Sequence, residues 1–426
     1  MFVRECVLRC NAKIAFVLLL ASTLLACKDV EQSSELLNSF EPEFVAQWQK
    51  VVEASEPPAE YSLQAACTPQ VIEANPQLAV KGTIIMVHGF TACNQQFFDW
   101  GLQLAAAGYH VVLPALPGHG LVGEQQDLLL ESSGLANSAQ VYSDFADQLV
   151  LLGQLSPGPS KIIAGLSVGG AVAAAVAIRG EQTFDKALLM APFLAIPMTY
   201  SPEEGPQLEP LSPQEELDLL DLLNSETDNS EQLEQLWQQF AQLLEQFRTG
   251  VAQSLLALLK LSIFIPQLDY NWGPDCEDER MAGRAGICNF KISNLFAVDS
   301  FGRETLEAYQ QADSLELQIQ LVAVENDNGA DPLAIQILAE RLNSLVGEQA
   351  SGYCLYDGTI VPHSFISKYD NIVLADEGAV DVHSSALANM EALWLSRFYS
   401  EAMEFIDSDT PNLFANEQGF CIQQAL

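Results

Sequence analysis

One short stretch in the middle of the chain, Gly165-Leu166-Ser167-Val168-Gly169, constrains the fold more than any other. The residues before it, Lys161-Ile162-Ile163-Ala164, form an apolar run with strand character, and residues 171–178 after it read as an Ala-rich helix. A strand can pass into a helix over so few residues only through a very tight turn. Such a turn pushes the Ser167 side chain out at its tip. Glycines are needed at 165 and 169 because a Cβ at either place would collide with the strand or the helix. The first N–H groups of the helix point back at the same spot, where they can stabilise an oxyanion.

The rest of the chain supplies the matching elements. Residues 84–87 form a continuous apolar run, which suits a strand buried on both faces, and further strands are expected at residues 110–113 and 186–190. Helices are expected over 102–107 and 139–152. Beyond residue 300 come a helix at 301–312, a strand at 317–324 that Glu325 is expected to extend, and a helix that runs to about 345. Asp331 before Pro332 reads as the N-cap of that last helix. A final strand at 353–356 and a closing helix at 384–405 complete the series. Strand and helix alternating at this spacing predict an α/β fold, with a mostly parallel central sheet and helices on both faces. Residues 197–299 interrupt the alternation: they begin Pro-rich and then turn helical, with Leu233, Leu236, Trp237, Phe240, Leu243, Leu244 and Phe247 on one face.

Charge and cysteine usage bound the setting. A formal net charge of −38 over 426 residues argues against nucleic acid or an anionic membrane surface as partner. Arg4, Arg9 and Lys13 precede an apolar segment at 14–25 that is too short for a comfortable membrane span. The segment ends in Leu24-Leu25-Ala26-Cys27 and resembles a bacterial lipoprotein signal, which implies cleavage before Cys27 and an acyl anchor on it. The alternative is an ordinary secretory signal in which Cys27 falls by chance. Either way the chain is expected to be exported, as a cell-envelope lipoprotein (outer membrane or periplasm-facing) or otherwise secreted. Cys6 and Cys10 leave with the signal. Cys67, Cys93, Cys276, Cys288, Cys354 and Cys421 remain, an even number that suggests disulfides. Their connectivity is open, although Cys276 and Cys288 bracket a Gly-rich loop and make the favoured pair. No pair has metal-site spacing. Residues 28–80 read as a tether and entry segment with a short helix near 44–52.

Three motifs occur in order: His88-Gly89-Phe90, Leu116-Pro117-Gly118-His119-Gly120 and Gly165-Leu166-Ser167-Val168-Gly169. On these residues the sequence resembles the α/β-hydrolase family, and within it the serine esterases and lipases of the monoglyceride-lipase kind. The resemblance covers about residues 80–196 and 300–400. Together with the signal and tether read above, it gives a domain plan of lipoprotein-type signal peptide at 1–26, tether at 27–79, first part of the core at 80–196, helical cap or lid at 197–299 and second part of the core at 300–426.

A serine hydroxyl needs an imidazole to take its proton and a carboxylate to hold that imidazole. In this fold the three follow one another as serine, acid and histidine. Ser167, Asp327 and His363 satisfy the order, each just after an expected strand. His383 competes for the base and Asp331 for the acid. His88, His110 and His119 come too early in the chain. The oxyanion hole is expected from the N–H groups of Val168 and Phe90, with Thr91 as second choice for the latter. No metal or organic cofactor is implied. The expected activity is hydrolysis of a carboxylic ester through an acyl-enzyme, with a small-molecule ester or lipid as partner and membrane contact only through the N-terminal anchor. Thioester, lactone or peptide substrates are alternatives on the same triad. A surface lipoprotein that uses the fold only for binding is the alternative of a different class.

Overall fold

The apolar runs become the centre of one large sheet. In a computed structural model of the chain, the described residues are 39–55, 61–123, 134–196, 269–271, 276, 283–327, 329–346, 350–358, 361–367, 394–408 and 421–423. The signal segment with Cys27, most of the expected cap and His383 lie outside them. The chain divides into two units, residues 1–49 and 50–426. Helix α1, Pro42–Glu53, begins in the first, where Phe40 stacks on Phe44 with ring centroids 4.7 Å apart. The features below belong to the second.

Among the described residues the sheet has eight strands: β1 Gln70–Ile72, β2 Gly82–Val87, β3 Tyr109–Leu113, β4 Ser160–Leu166, β5 Lys186–Met190, β6 Gln318–Val324, β7 Ser351–Tyr356 and β8 Cys421–Gln423. Their spatial order is β8-β7-β6-β5-β4-β2-β3-β1. All neighbours from β7 to β3 are parallel, and only β1 and β8 run antiparallel at the two edges. Every residue of β2, β3 and β5 is buried. That is the condition for a parallel sheet covered on both faces, and it is why these strands lack an apolar–polar alternation.

Among the described residues six helices cover the sheet: α2 Phe98–Ala106, α3 Ala139–Leu155, α4 Val168–Arg179, α5 Ile292–Gln311, α6 Pro332–Val346 and α7 Ser396–Asp407. Ile84, Met86, Ile162, Ala164, Leu188 and Met190 share a core with Trp100 and Leu104 of α2 and Phe398 and Phe405 of α7. Trp100 joins the two helices, its ring 5.5 Å from both Phe398 and Tyr399. The alternate strand positions face the opposite layer, where α3, α4 and α5 pack on one another. Residues 168–177 of α4 are all buried, and the Tyr309 hydroxyl of α5 donates to the Ala174 carbonyl at 2.9 Å. Small residues allow α4 this close approach. No helix among the described residues is long and apolar enough to cross a membrane.

Several boundaries differ from the sequence reading. Helix α5 starts at Ile292 rather than 301, because Asn294 Oδ1 accepts from the Lys291 N–H at 2.7 Å and its Nδ2 donates to the Leu135 and Ala136 carbonyls. The core thus reclaims the end of the segment assigned to the cap. Glu325 falls outside β6, in the turn that follows it. The six late cysteines pair as Cys67–Cys93, Cys276–Cys288 and Cys354–Cys421, which includes the pair favoured from sequence.

Candidate active site

Ser167 sits between β4 and α4 with φ 57° and ψ −119°, a strained conformation for a non-glycine residue. The surroundings hold it there. Its N–H donates to the Met190 carbonyl at 2.9 Å, and its carbonyl accepts from the Phe193 N–H at 2.8 Å. Both partners come from the end of β5 and the loop beyond. A Cβ on Gly165 would lie 2.0 Å from the Gly169 carbonyl oxygen, and one on Gly169 would lie 1.9 Å from that of Val87. Both glycines are therefore required by the turn, for the reason read from sequence.

The other two residues lie at the same end of the sheet. Asp327 follows β6 and His363 follows β7, at the carboxyl ends of parallel strands, as Ser167 follows β4. Strands β4 and β6 are separated by β5 alone, about 10 Å at ordinary strand spacing. The Asp327 side chain is wholly buried, and its Oδ2 accepts from His363 Nδ1 at 2.8 Å. Its Oδ1 accepts from the Gly329 N–H at 2.7 Å, which closes a small turn around the carboxylate. A carboxylate only accepts, so the proton of the neutral imidazole is on Nδ1 and Nε2 is the basic atom. Asp331 has a different place: its Oδ1 accepts from the Leu333 and Ala334 N–H groups at 2.9 and 3.0 Å, as the N-cap of α6.

The loop after β2 completes the arrangement. A Cβ on Gly89 would lie 3.3 Å from Ser167 Cβ, so this loop passes directly beside the serine. The Gly89 N–H donates to Gln96 Oε1 at 2.8 Å. The next peptide carries the Phe90 N–H, and Val168 is the first residue of α4. Among the described residues, neither of these two N–H groups has a hydrogen-bond acceptor. Sequence reasoning missed Gln96, because a glutamine in the short turn before α2 carries no signal of its own.

Residues 79–260 match the model of the family described as serine aminopeptidase, S33. The chain is an α/β-hydrolase by fold. Among solved structures it is similar to a monoacylglycerol lipase from Paleococcus ferrophilus, at 14% identity over 76% of this chain and 97% of that one, with a TM-score of 0.41. It is also similar to a soluble variant of monoglyceride lipase from Saccharomyces cerevisiae, at 14% identity over 81% and 97%, with a TM-score of 0.46. No curated protein matches the chain in sequence.

Two histidines of this chain support the loops. His88 Nε2 accepts from the Leu116 N–H at 2.9 Å, so its Nδ1 donates to the Gly89 carbonyl, also at 2.9 Å. One imidazole thereby ties the loop after β3 to the loop after β2. Burial holds its pKa well below the ordinary value, and the neighbouring His119 adds to this. His119 donates from Nδ1 to the Pro117 carbonyl at 3.1 Å, and burial pushes its pKa down to about 4. Its ring lies edge-on to His88 at 5.3 Å and to Phe90 at 5.6 Å. His110 lies within β3, where its Nδ1 accepts from the Ala74 N–H at 3.2 Å. Among the described residues no group of His, Cys, Asp and Glu could hold a metal ion.

Proposed function

We propose that this α/β-hydrolase is an exported serine hydrolase that cleaves carboxylic esters, of the lipase or carboxylesterase type, through an acyl-enzyme. The observation that carries the reading is the presence, at one end of the sheet, of a serine forced to φ 57° at the sharp turn and of a histidine whose Nδ1 is held 2.8 Å from a fully buried aspartate. Strain of that kind at a loop tip persists only where the fold over-determines it.

In the proposed reaction Ser167 Oγ attacks the ester carbonyl carbon while its proton passes to His363 Nε2. Asp327 keeps the imidazole in the Nδ1–H tautomer and stabilises its cation. The tetrahedral oxyanion is bound by the Phe90 and Val168 N–H groups. His363 then protonates the departing alkoxide, which leaves as the alcohol and the acyl-enzyme remains. Water, activated by the same imidazole, releases the carboxylic acid. A fluorophosphonate probe should label Ser167 in the wild type and not in Ser167→Ala. A panel of p-nitrophenyl esters from acetate to palmitate then gives the acyl preference. Absence of both labelling and turnover would leave a binding protein built on the fold.

The description of the matching family favours a second reading on the same triad, hydrolysis of a peptide bond at a free amino terminus. Aminoacyl p-nitroanilides separate the two: cleavage of these in preference to esters would make the chain a peptidase. Anchoring through lipid on Cys27 is part of the proposal. Labelled fatty acid should enter the wild type and not Cys27→Ser.

A further inference from the structure

The strained residue next to the proposed oxyanion donor points to a second function for the segment that precedes α5. Thr91 follows Phe90, is buried and has φ 59°. A β-branched residue in the left-handed region is a true outlier and needs outside support. That support comes from residues 283–288. The Ile287 N–H donates to the Thr91 carbonyl at 2.8 Å. Gly286, at φ 122°, brings backbone against backbone: a Cβ there would lie 2.4 Å from the Thr91 carbonyl oxygen and 3.0 Å from Ala92 Cα.

The segment is itself fastened at several points. Gln64 grips Gly286 from both sides, accepting from its N–H at 3.1 Å and donating to its carbonyl at 3.0 Å. Gln95 does the same one step earlier, accepting from the Ala285 N–H at 2.7 Å and donating to the Gly283 carbonyl at 3.1 Å. These glutamines flank the Cys67–Cys93 disulfide, against which Ala285 packs, and Cys276–Cys288 closes the segment into a ring. Gly89 is meanwhile fixed from the other side by Gln96.

We infer that residues 283–288, held by Cys276–Cys288, form a clamp that positions the 89–90 peptide as an oxyanion donor, so that this segment sets the rate of acyl transfer and not the binding of substrate. The inference rests on the proposed role of Phe90. Gly286 and the two cysteines are positioning residues: Gly286 lies against the loop, and the cysteines close the segment that carries it. Release of the clamp lets Thr91 relax and turns the donor away from the developing charge.

The test uses the full chain as Gly286→Ala and, separately, as the double variant Cys276→Ser with Cys288→Ser. Active sites are counted by the endpoint of fluorophosphonate labelling, and kcat per labelled site and KM are measured on one p-nitrophenyl ester. We expect kcat per site to fall roughly ten- to a hundredfold, somewhat less than the loss of a whole donor, with KM within about twofold. Amide exchange over residues 89–93 should quicken in both variants. Fewer labelled sites with unchanged kcat per site would mean that the segment only supports folding, and would overturn the inference. Unchanged exchange in both variants overturns it as well. If the wild type neither takes the label nor turns over any ester, the enzyme reading itself has failed. The exchange measurement then still decides whether the segment holds the loop.

Discussion

A Cβ at Gly329 would lie 2.6 Å from His363 Cδ2 and Cγ and 2.8 Å from Nδ1, so the turn after Asp327 is wrapped closely around the imidazole. Gly329→Ala must displace the ring or the turn. A misplacement of about 1 Å at a reacting group is worth roughly a hundredfold in rate. The expected result is a kcat lowered on that order, with the melting temperature within a few degrees of wild type. At the same scale, His119 governs a pH dependence. Its folded pKa is lowered to about 4 from the ordinary 6.5, so below pH 6.5 the unfolded chain binds a proton that the folded chain does not. The stabilisation is complete above pH 6.5 and is lost as pH falls toward 4. It amounts to roughly 3 kcal/mol at this depth of burial. His88 acts in the same direction. Thermal melts between pH 7 and 4.5 should show a steeper decline for wild type than for His119→Asn. Parallel curves would count against the buried neutral ring.

Among the elements, α7 shows how differently two lysines contribute. Lys186, buried at the start of β5, donates to the carbonyls of Phe405 and Ile406 at 2.8 and 2.9 Å and also to that of Ser408. A cation at the carboxyl end of a helix meets its exposed carbonyls and its dipole together. Lys81 reaches Asp407 at 2.8 Å near the same helix end, but both side chains are substantially exposed. Charge-assisted bonds inside a protein are worth about 1.5–3 kcal/mol, whereas an exposed ion pair is worth about 1 kcal/mol or less. Lys186→Met should therefore lower urea stability by about 3 kcal/mol, and Lys81→Met by less than 1 kcal/mol.

The elements also show where the sequence could be read and where it could not. Strands β2, β4, β5 and β6 were legible because a doubly covered strand must be apolar at nearly every position. Strands β1 and β8 were not, since each has three residues and becomes a strand only because a neighbour offers an open edge. The start of α5 was hidden for a related reason: Asn294 is buried and bonds across to Leu135 and Ala136, a contact far away in sequence. At the candidate site, Ser167 announced itself through steric necessity at Gly165 and Gly169. Thr91, Gln96 and Gly286 could not, because their importance lies in what they touch and not in any local pattern.

At the scale of the molecule, the disulfides reinforce what the sheet leaves weakest. Cys354 lies in β7 and Cys421 in β8, so their bond pins a three-residue edge strand across a sequence separation of 67. On the chain-entropy account, closing a loop of that size contributes about 4 kcal/mol. The double variant Cys354→Ser with Cys421→Ser should lose stability of this order in urea. Ester turnover below the transition should be little changed, because β8 lies at the sheet edge and not beside Ser167.

Strands β1 to β5 and strands β6 to β8 meet along a single seam, the parallel pairing of residues 186–190 with residues 318–322. No described disulfide crosses that seam: Cys67–Cys93 lies on one side, and Cys276–Cys288 and Cys354–Cys421 on the other. A protease cut between residues 197 and 268 would thus yield two fragments that migrate apart in denaturant without any reductant. In native buffer the same fragments would remain one particle, the first bearing the proposed nucleophile and the second the proposed acid and base. Catalysis would then become a reporter of whether two separately made pieces have found each other.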